Sequence, residues 1–213
     1  MFWYEREPEG RLNVNILAVD RAGWVLTGGA SSRMGFDKAL AEIGGRPMAV
    51  RVAEAAAKVC GTVTVVGDPS RYGVLGLPVI ADNFPGCGPL AGIEAALGVT
   101  TADWNLIVAC DMPALDTGLL EELFAAGGDC AVPQYADGMV EPLCAVYHRR
   151  CHRAIRDALE GGVRKVTEAL RLAEARAEAR ALEVRYVRVH RRDPFANLNT
   201  PGDLAGYQRR QNG

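Results

Sequence analysis

The sequence predicts an α/β fold, one domain whose mostly parallel sheet is flanked by helices. Short apolar runs rich in β-branched residues alternate with longer helical patterns, the signature of crossover connections. The chain has 213 residues, 49% of them hydrophobic, enough for one sizeable core and too few for two comfortable domains.

The elements follow in order. Residues 1–20 fit the pattern poorly, although Leu12, Val14 and Ile16 alternate as an added edge strand would. They are read as a flexible extension or such a strand, with the main domain spanning 21–213. Ala22 to Thr27, Thr62 to Val66, Leu77 to Ile80, Trp104 to Cys110 and Cys130 to Pro133 read as strands, joined by Leu143 to Tyr147 and Val184 to Val189. Helices are expected over Pro47 to Val59, Pro89 to Leu97, Asp116 to Ala125, Arg150 to Leu159 and Val163 to Ala181, the first two opening on a proline. Pro201 to Gln211 reads as a last helix capped by Thr200.

Lys+Arg 24 against Asp+Glu 26 gives a net charge of -2, so no global field draws the chain to nucleic acid or to an anionic membrane. No apolar run approaches the roughly 20 residues of a bilayer span, and the N-terminus lacks a secretory pattern. The expected compartment is the cytosol. The six cysteines, at 60, 87, 110, 130, 144 and 151, are irregularly spaced without a Cys-x-x-Cys pair, and are read as reduced packing residues. His148 and His152, four apart with Cys144 and Cys151 nearby, are expected on one helix; they are read as surface or core residues, not ligands.

The chemistry concentrates after the first strand, in Leu26-Thr27-Gly28-Gly29-Ala30-Ser31-Ser32-Arg33-Met34-Gly35-Phe36-Asp37-Lys38. Glycines let backbone N–H groups approach phosphate oxygens, and Arg33 and Lys38 bring positive charge to the same oxygens. The loop is neither a P-loop, since Phe36 follows Gly35, nor a dinucleotide fingerprint.

This loop is similar to the signature of nucleotidyltransferases that share a Rossmann-like sheet, the nucleotide-diphospho-sugar transferase type. Its Gly28-Gly29 and Arg33-Met34-Gly35-Phe36-Asp37-Lys38 resemble the molybdenum cofactor guanylyltransferases. Further blocks agree in order: Asp82-Asn83-Phe84-Pro85-Gly86-Cys87-Gly88-Pro89-Leu90-Ala91-Gly92, Cys110-Asp111-Met112-Pro113 and Asn197-Leu198-Asn199-Thr200-Pro201. The resemblance runs from about Gly23 to the C-terminus. It implies GTP and molybdopterin as substrates, transfer of GMP with release of pyrophosphate, Mg²⁺ as cofactor, and contact with molybdenum cofactor biosynthesis proteins or acceptor molybdoenzymes.

Within that reading, Leu26, Thr27, Gly28, Gly29, Lys38, Asp82 and Asp111 contact the nucleotide, and Arg33, Lys38 and Asp111 serve catalysis. Asp111, at a strand's C-terminal end, is the expected Mg²⁺ ligand. Asp82 is expected to accept from the guanine ring N–H and amine; the alternative is that it caps the turn after it. Arg164, Lys165, Asn197 and Asn199 are expected at the acceptor, against ordinary surface and turn roles. No role is assigned to Val66-Gly67-Asp68-Pro69. The rival activities are a molybdopterin cytidylyltransferase, a sugar-phosphate nucleotidyltransferase and a nucleotide-binding module without catalysis. Gly28-Gly29, where the cytidylyl group resembles Leu-Ala-Ala-Gly, weighs against the first, and Asp111 against the last.

Overall fold

A computed structural model describes residues 20–28, 37–175, 181–190, 198, 202–203, 206–207 and 209. The chain runs β1 (Arg21–Leu26), β2 (Glu42–Ile43), β3 (Arg46–Pro47), α1 (Met48–Cys60), β4 (Thr62–Val66), α2 (Pro69–Tyr72) and a 3-10 turn (Gly73–Leu75). β5 (Val79–Ile80), α3 (Pro89–Val99), β6 (Trp104–Ala109), α4 (Thr117–Ala125) and β7 (Cys130–Gln134) follow. β8 (Cys144–His148), α5 (Cys151–Glu160), α6 (Val166–Glu174) and β9 (Val184–Arg188) complete the order.

The main sheet has the order β5-β4-β1-β6-β8-β7-β9. β1 pairs in parallel with β4 and β6, β4 with β5, and β7 with β9, while β8 runs antiparallel to β6 and β7. β2 and β3 form a small separate hairpin. Alternation along the strands distributes the core. Val25, Val65, Leu106 and Val108 join Ala49, Val52 and Ala56 of α1 and Leu120 and Leu123 of α4 on one face. Trp24, Leu26, Ile107 and Tyr147 join α3, α5 and α6 on the other. α3 is covered all round, and every residue from Leu90 to Leu97 is buried. α5 is two-sided instead, hiding Cys151, Ala154, Ile155, Ala158 and Leu159 at helical spacing.

Several local expectations move. Pro47 lies in β3 and is the N-cap of α1, not its first residue. His148 ends β8, so it shares no helix with His152. The expected helix from Val163 to Ala181 is described as helical only over Val166–Glu174. The extension over 1–19, Thr200 and Pro201 lie outside the described residues, and 202–203, 206–207 and 209 of the last expected helix are helical. No helix among the described residues is long and apolar enough to cross a membrane. All six cysteines are free.

Candidate active site

β1 has β4 on one side and β6 on the other; the chain runs outward from β1 through α1 to β4 and β5, and α3 then carries it back from β5 to β6 on the far side of β1. At such a switch point the connections leave in opposite directions and open a crevice beyond the strand ends. Here Leu26 pairs with Ala109 in register, and Cys110 N–H donates to Leu26 O at 3.0 Å. The residues that follow, Thr27 and Gly28 from β1 and Asp111 from β6, therefore line one cleft of about 710 Å³.

Thr27 is pinned to β4, since its N–H and its hydroxyl both donate to Val66 O, at 2.9 and 2.8 Å. Gly28 then turns with φ 96°, a left-handed conformation that a side chain would strain. Gly29 and Arg33 lie outside the described residues. Lys38, where the loop re-enters, sends Nζ to within 3.2 Å of Asp111 Oδ2. Both side chains are largely covered, at 20% and 17% exposure, so their charges are screened less than surface charges are. The α3 N-terminus, with no side-chain cap, also opens here through Gly88 and Pro89. The dipole of the helix favours an anion at this end.

Asp82 lines the same cleft. Its Oδ1 accepts from Phe84 N–H at 3.1 Å, so the turn-capping role exists; it occupies one carboxylate oxygen and leaves the other for a ligand. The turn is tied down from behind: Asn83 Nδ2 donates to Oε2 of the fully buried Glu94 at 3.0 Å.

The remaining expected residues divide. Asn197 and Asn199 lie outside the described residues, but Leu198 between them is buried and donates its N–H to Asp111 O at 3.1 Å. Arg164 and Lys165 are exposed at the start of α6 and do not line the cleft. Arg164 Nη1 is spent on the carbonyls of Leu159 and Val163, at 3.0 and 2.9 Å. Cys110 is buried, and burial followed by the Asp111 charge pushes its thiol far above the ordinary range. That suits packing and not nucleophilic attack.

Two groups of residues escape sequence reasoning. Glu141, Pro142 and Leu143 also line the cleft; the sequence shows of them only a proline and the head of a strand at Leu143, and no sign of a site. Asp37, beside Lys38, also lines it, and its partners Arg71 and Tyr72 belong to α2, which no periodicity announces.

The oxygen donors fit Mg²⁺. Among the described residues no three metal-ligating side chains converge, so Asp111 would act with the substrate's own phosphates, as Mg²⁺ sites on nucleotides commonly do.

Comparison with known proteins agrees with this geometry. The family described as MobA-like NTP transferase domain matches residues 23–177. A probable molybdenum cofactor guanylyltransferase of Pelotomaculum thermopropionicum is 37% identical over 187 residues, 85% of this chain and 89% of the relative. A molybdenum cofactor guanylyltransferase of Rhodopseudomonas palustris is 36% identical over 204 residues, 87% of this chain and 91% of that one. The crystal structure of molybdopterin-guanine dinucleotide biosynthesis protein A from Archaeoglobus fulgidus superposes with a TM-score of 0.73 at 26% identity, covering 90% of this chain and 98% of that one. A cleft at the β1/β6 switch point, lined by Lys38 and Asp111, is thus accompanied by likeness along most of the chain: the protein belongs to the MobA-like NTP transferase family.

Proposed function

We propose that the chain transfers GMP from GTP to molybdenum-bearing molybdopterin, forming the guanine dinucleotide cofactor and releasing pyrophosphate. The observation that carries the reading is the Lys38–Asp111 pair, 3.2 Å apart at the carboxyl ends of β1 and β6. Such a pair, only partly desolvated, is worth little net stability. Lys38 therefore leaves Asp111 for a phosphate oxygen at small cost.

An oxygen of the acceptor phosphate attacks the α-phosphorus in line, its new P–O bond forming as the bond to pyrophosphate breaks. The phosphate nucleophile is already ionised at neutral pH, so catalysis is positioning and charge neutralisation. Gly28 brings backbone against the triphosphate, Lys38 and Arg33 offset its charge, and the α3 N-terminus adds its dipole. Asp111 would hold Mg²⁺, which offsets charge on the α-phosphate and on pyrophosphate. Asp82 and the Asn83 to Gly88 turn are assigned to guanine. Arg164 and Lys165, exposed and outside the cleft lining, are assigned to the acceptor phosphate on their charge alone. Asn197 and Asn199, flanking Leu198, are assigned there too. The cofactor product is passed to acceptor molybdoenzymes, and the six free thiols fit a reducing cytosol.

The test is to supply labelled GTP and labelled CTP in parallel with molybdopterin. Label in a molybdopterin-linked product from GTP, with pyrophosphate, is expected; label only from CTP would assign the chain to the cytidylyl reaction.

A further inference from the structure

Three donors converge on the carboxylate of Asp37. Only 8% of this side chain is exposed. Oδ1 accepts from Ala39 N–H at 2.9 Å, and Oδ2 accepts from the Tyr72 hydroxyl at 2.9 Å and pairs with Arg71 Nε at 2.5 Å. Both of these donors come from α2, and neither lines the cleft. Burial, then the bond to Asp37, moves the ionisation of Tyr72 up to about 12, so its hydroxyl stays a donor.

α2 is itself held firmly. Asp68 caps it through Ser70 N–H at 2.8 Å. Gly67, just before it, allows an approach that no other residue permits: a Cβ there would fall 2.1 Å from Thr27 Oγ1 and 2.7 Å from the Tyr72 ring. The stretch following β4 is thereby locked to the end of β1 on one side and to Asp37 on the other.

Lys38 is the next residue. A lysine ammonium is a point charge on a flexible stem, so its working position depends on how firmly its backbone is held. The Asp37 carboxylate bonded to Ala39 N–H, and Ala41 N–H donating to Lys38 O at 3.1 Å, fix the backbone on both sides.

We propose that Tyr72 and Arg71 are positioning residues for nucleotidyl transfer, acting through Asp37 to hold Lys38 over Asp111 and the phosphates of the nucleotide. The inference rests on the assignment of Lys38 to the triphosphate. It gives the stretch after β4, which resembles no nucleotide contact, a task that requires none.

The test is a double-mutant cycle on the full chain, with Tyr72→Phe made alone and in a Lys38→Ala background. Tyr72→Phe keeps the ring and removes only the hydroxyl. Affinity for GTP with Mg²⁺ is measured by calorimetry, so that a slow background remains readable, and kcat by pyrophosphate release. With Lys38 present, the substitution is expected to lower kcat about 5- to 20-fold and weaken GTP about 2- to 5-fold. In Lys38→Ala it is expected to change affinity less than about 1.5-fold. Arg71→Met shares the loss, and Arg71→Lys restores the larger part. Equal losses in both backgrounds, or no loss with Lys38 present, would overturn the proposal. If the chain binds and transfers from another nucleoside triphosphate instead of GTP, the guanylyl reading fails. The cycle run on that nucleotide still decides the positioning role.

Discussion

His152 Nε2 meets Glu94 Oε1 at 3.0 Å, and Arg156 Nη1 approaches the same oxygen at 3.3 Å. Because Glu94 is fully buried, this carboxylate depends on its partners on α5 and on Asn83. Replacing it by alanine leaves those partners without their acceptor. Glu94→Ala is expected to lose about 3 kcal/mol in urea unfolding, the low end for a broken buried pair because His152 and Arg156 retain access to water. GTP affinity falls with it, since Asn83 adjoins Asp82. A variant as stable as the parent would show that the cluster is dispensable.

Asp111→Asn keeps the shape of the side chain and removes its charge. Transfer is expected to fall by roughly two to three decades, with the melting temperature little changed. Near-normal turnover at saturating Mg²⁺ would remove Asp111 from the metal.

Asp82→Ala tests base choice. A contact present equally before and during transfer raises KM and leaves kcat. The loss of one charge-assisted hydrogen bond, about 1.5–3 kcal/mol, corresponds to roughly one to two decades in GTP affinity. Relative use of CTP and ATP should rise. An unchanged preference for GTP would return Asp82 to its turn at Phe84 and move base reading to the backbone of Leu26 to Gly28.

Burial raises the thiols of Cys60 and Cys151 to about 12, and those of Cys110, Cys130 and Cys144 further. In the unfolded chain they ionise near 9, the ordinary thiol value. Between these limits the unfolded state binds fewer protons, so stability is full below pH 9 and falls as pH rises toward 12. Urea midpoints measured from pH 8 to pH 10.5 should decline, and Cys151→Ala should decline less steeply. At pH 8 iodoacetamide should modify Cys87, the half-buried thiol, ahead of the other five by peptide mapping. Uniform labelling would contradict the burial.

The domain boundary is testable by truncation. Removing 1–19 should cost little activity, because every described residue that lines the cleft follows the start of β1 at Arg21. Removing Asp20 as well loses acceptors for the N–H groups of Trp104 and Asp103, at 3.0 and 3.1 Å. The second truncation should therefore melt lower than the first.

What could be read in the sequence depended on where each element gets its stability. β4 is the run Thr-Val-Thr-Val-Val, whose β-branched content declares it locally, and β1 and β6 are short apolar runs, Trp24-Val25-Leu26 and Leu106-Ile107-Val108, bounded by turn and helix patterns. α2 has four residues, held by Asp68, Asp37 and the space above Gly67, and none of that is periodic. The hairpin β2–β3 pairs Glu42 with Pro47 and Ile43 with Arg46 alone, too little to leave a pattern. Nothing in the sequence marks Glu94 as buried; it is covered because α3 packs between the sheet and α5, which hides every residue from Leu90 to Leu97. At the site, Lys38 and Asp111 could be named from their motifs, whereas Glu141 reaches the cleft only because β8 enters the sheet beside β6.

That placement of β8 governs how the chain fares during synthesis. β6 ends at Ala109, and its second neighbour in the sheet does not begin until Cys144. While the intervening segment leaves the ribosome, Leu106, Ile107 and Val108 lie on a strand with one bare edge, open to pairing with any other nascent chain. The nucleotide half of the cleft is by then complete, but its lining at Glu141, Pro142 and Leu143 is still inside the ribosome. Translational pausing after His148 is added, while β8 is still inside the exit tunnel, would prolong this exposure, and soluble yield should fall as codons just downstream of β8 are slowed.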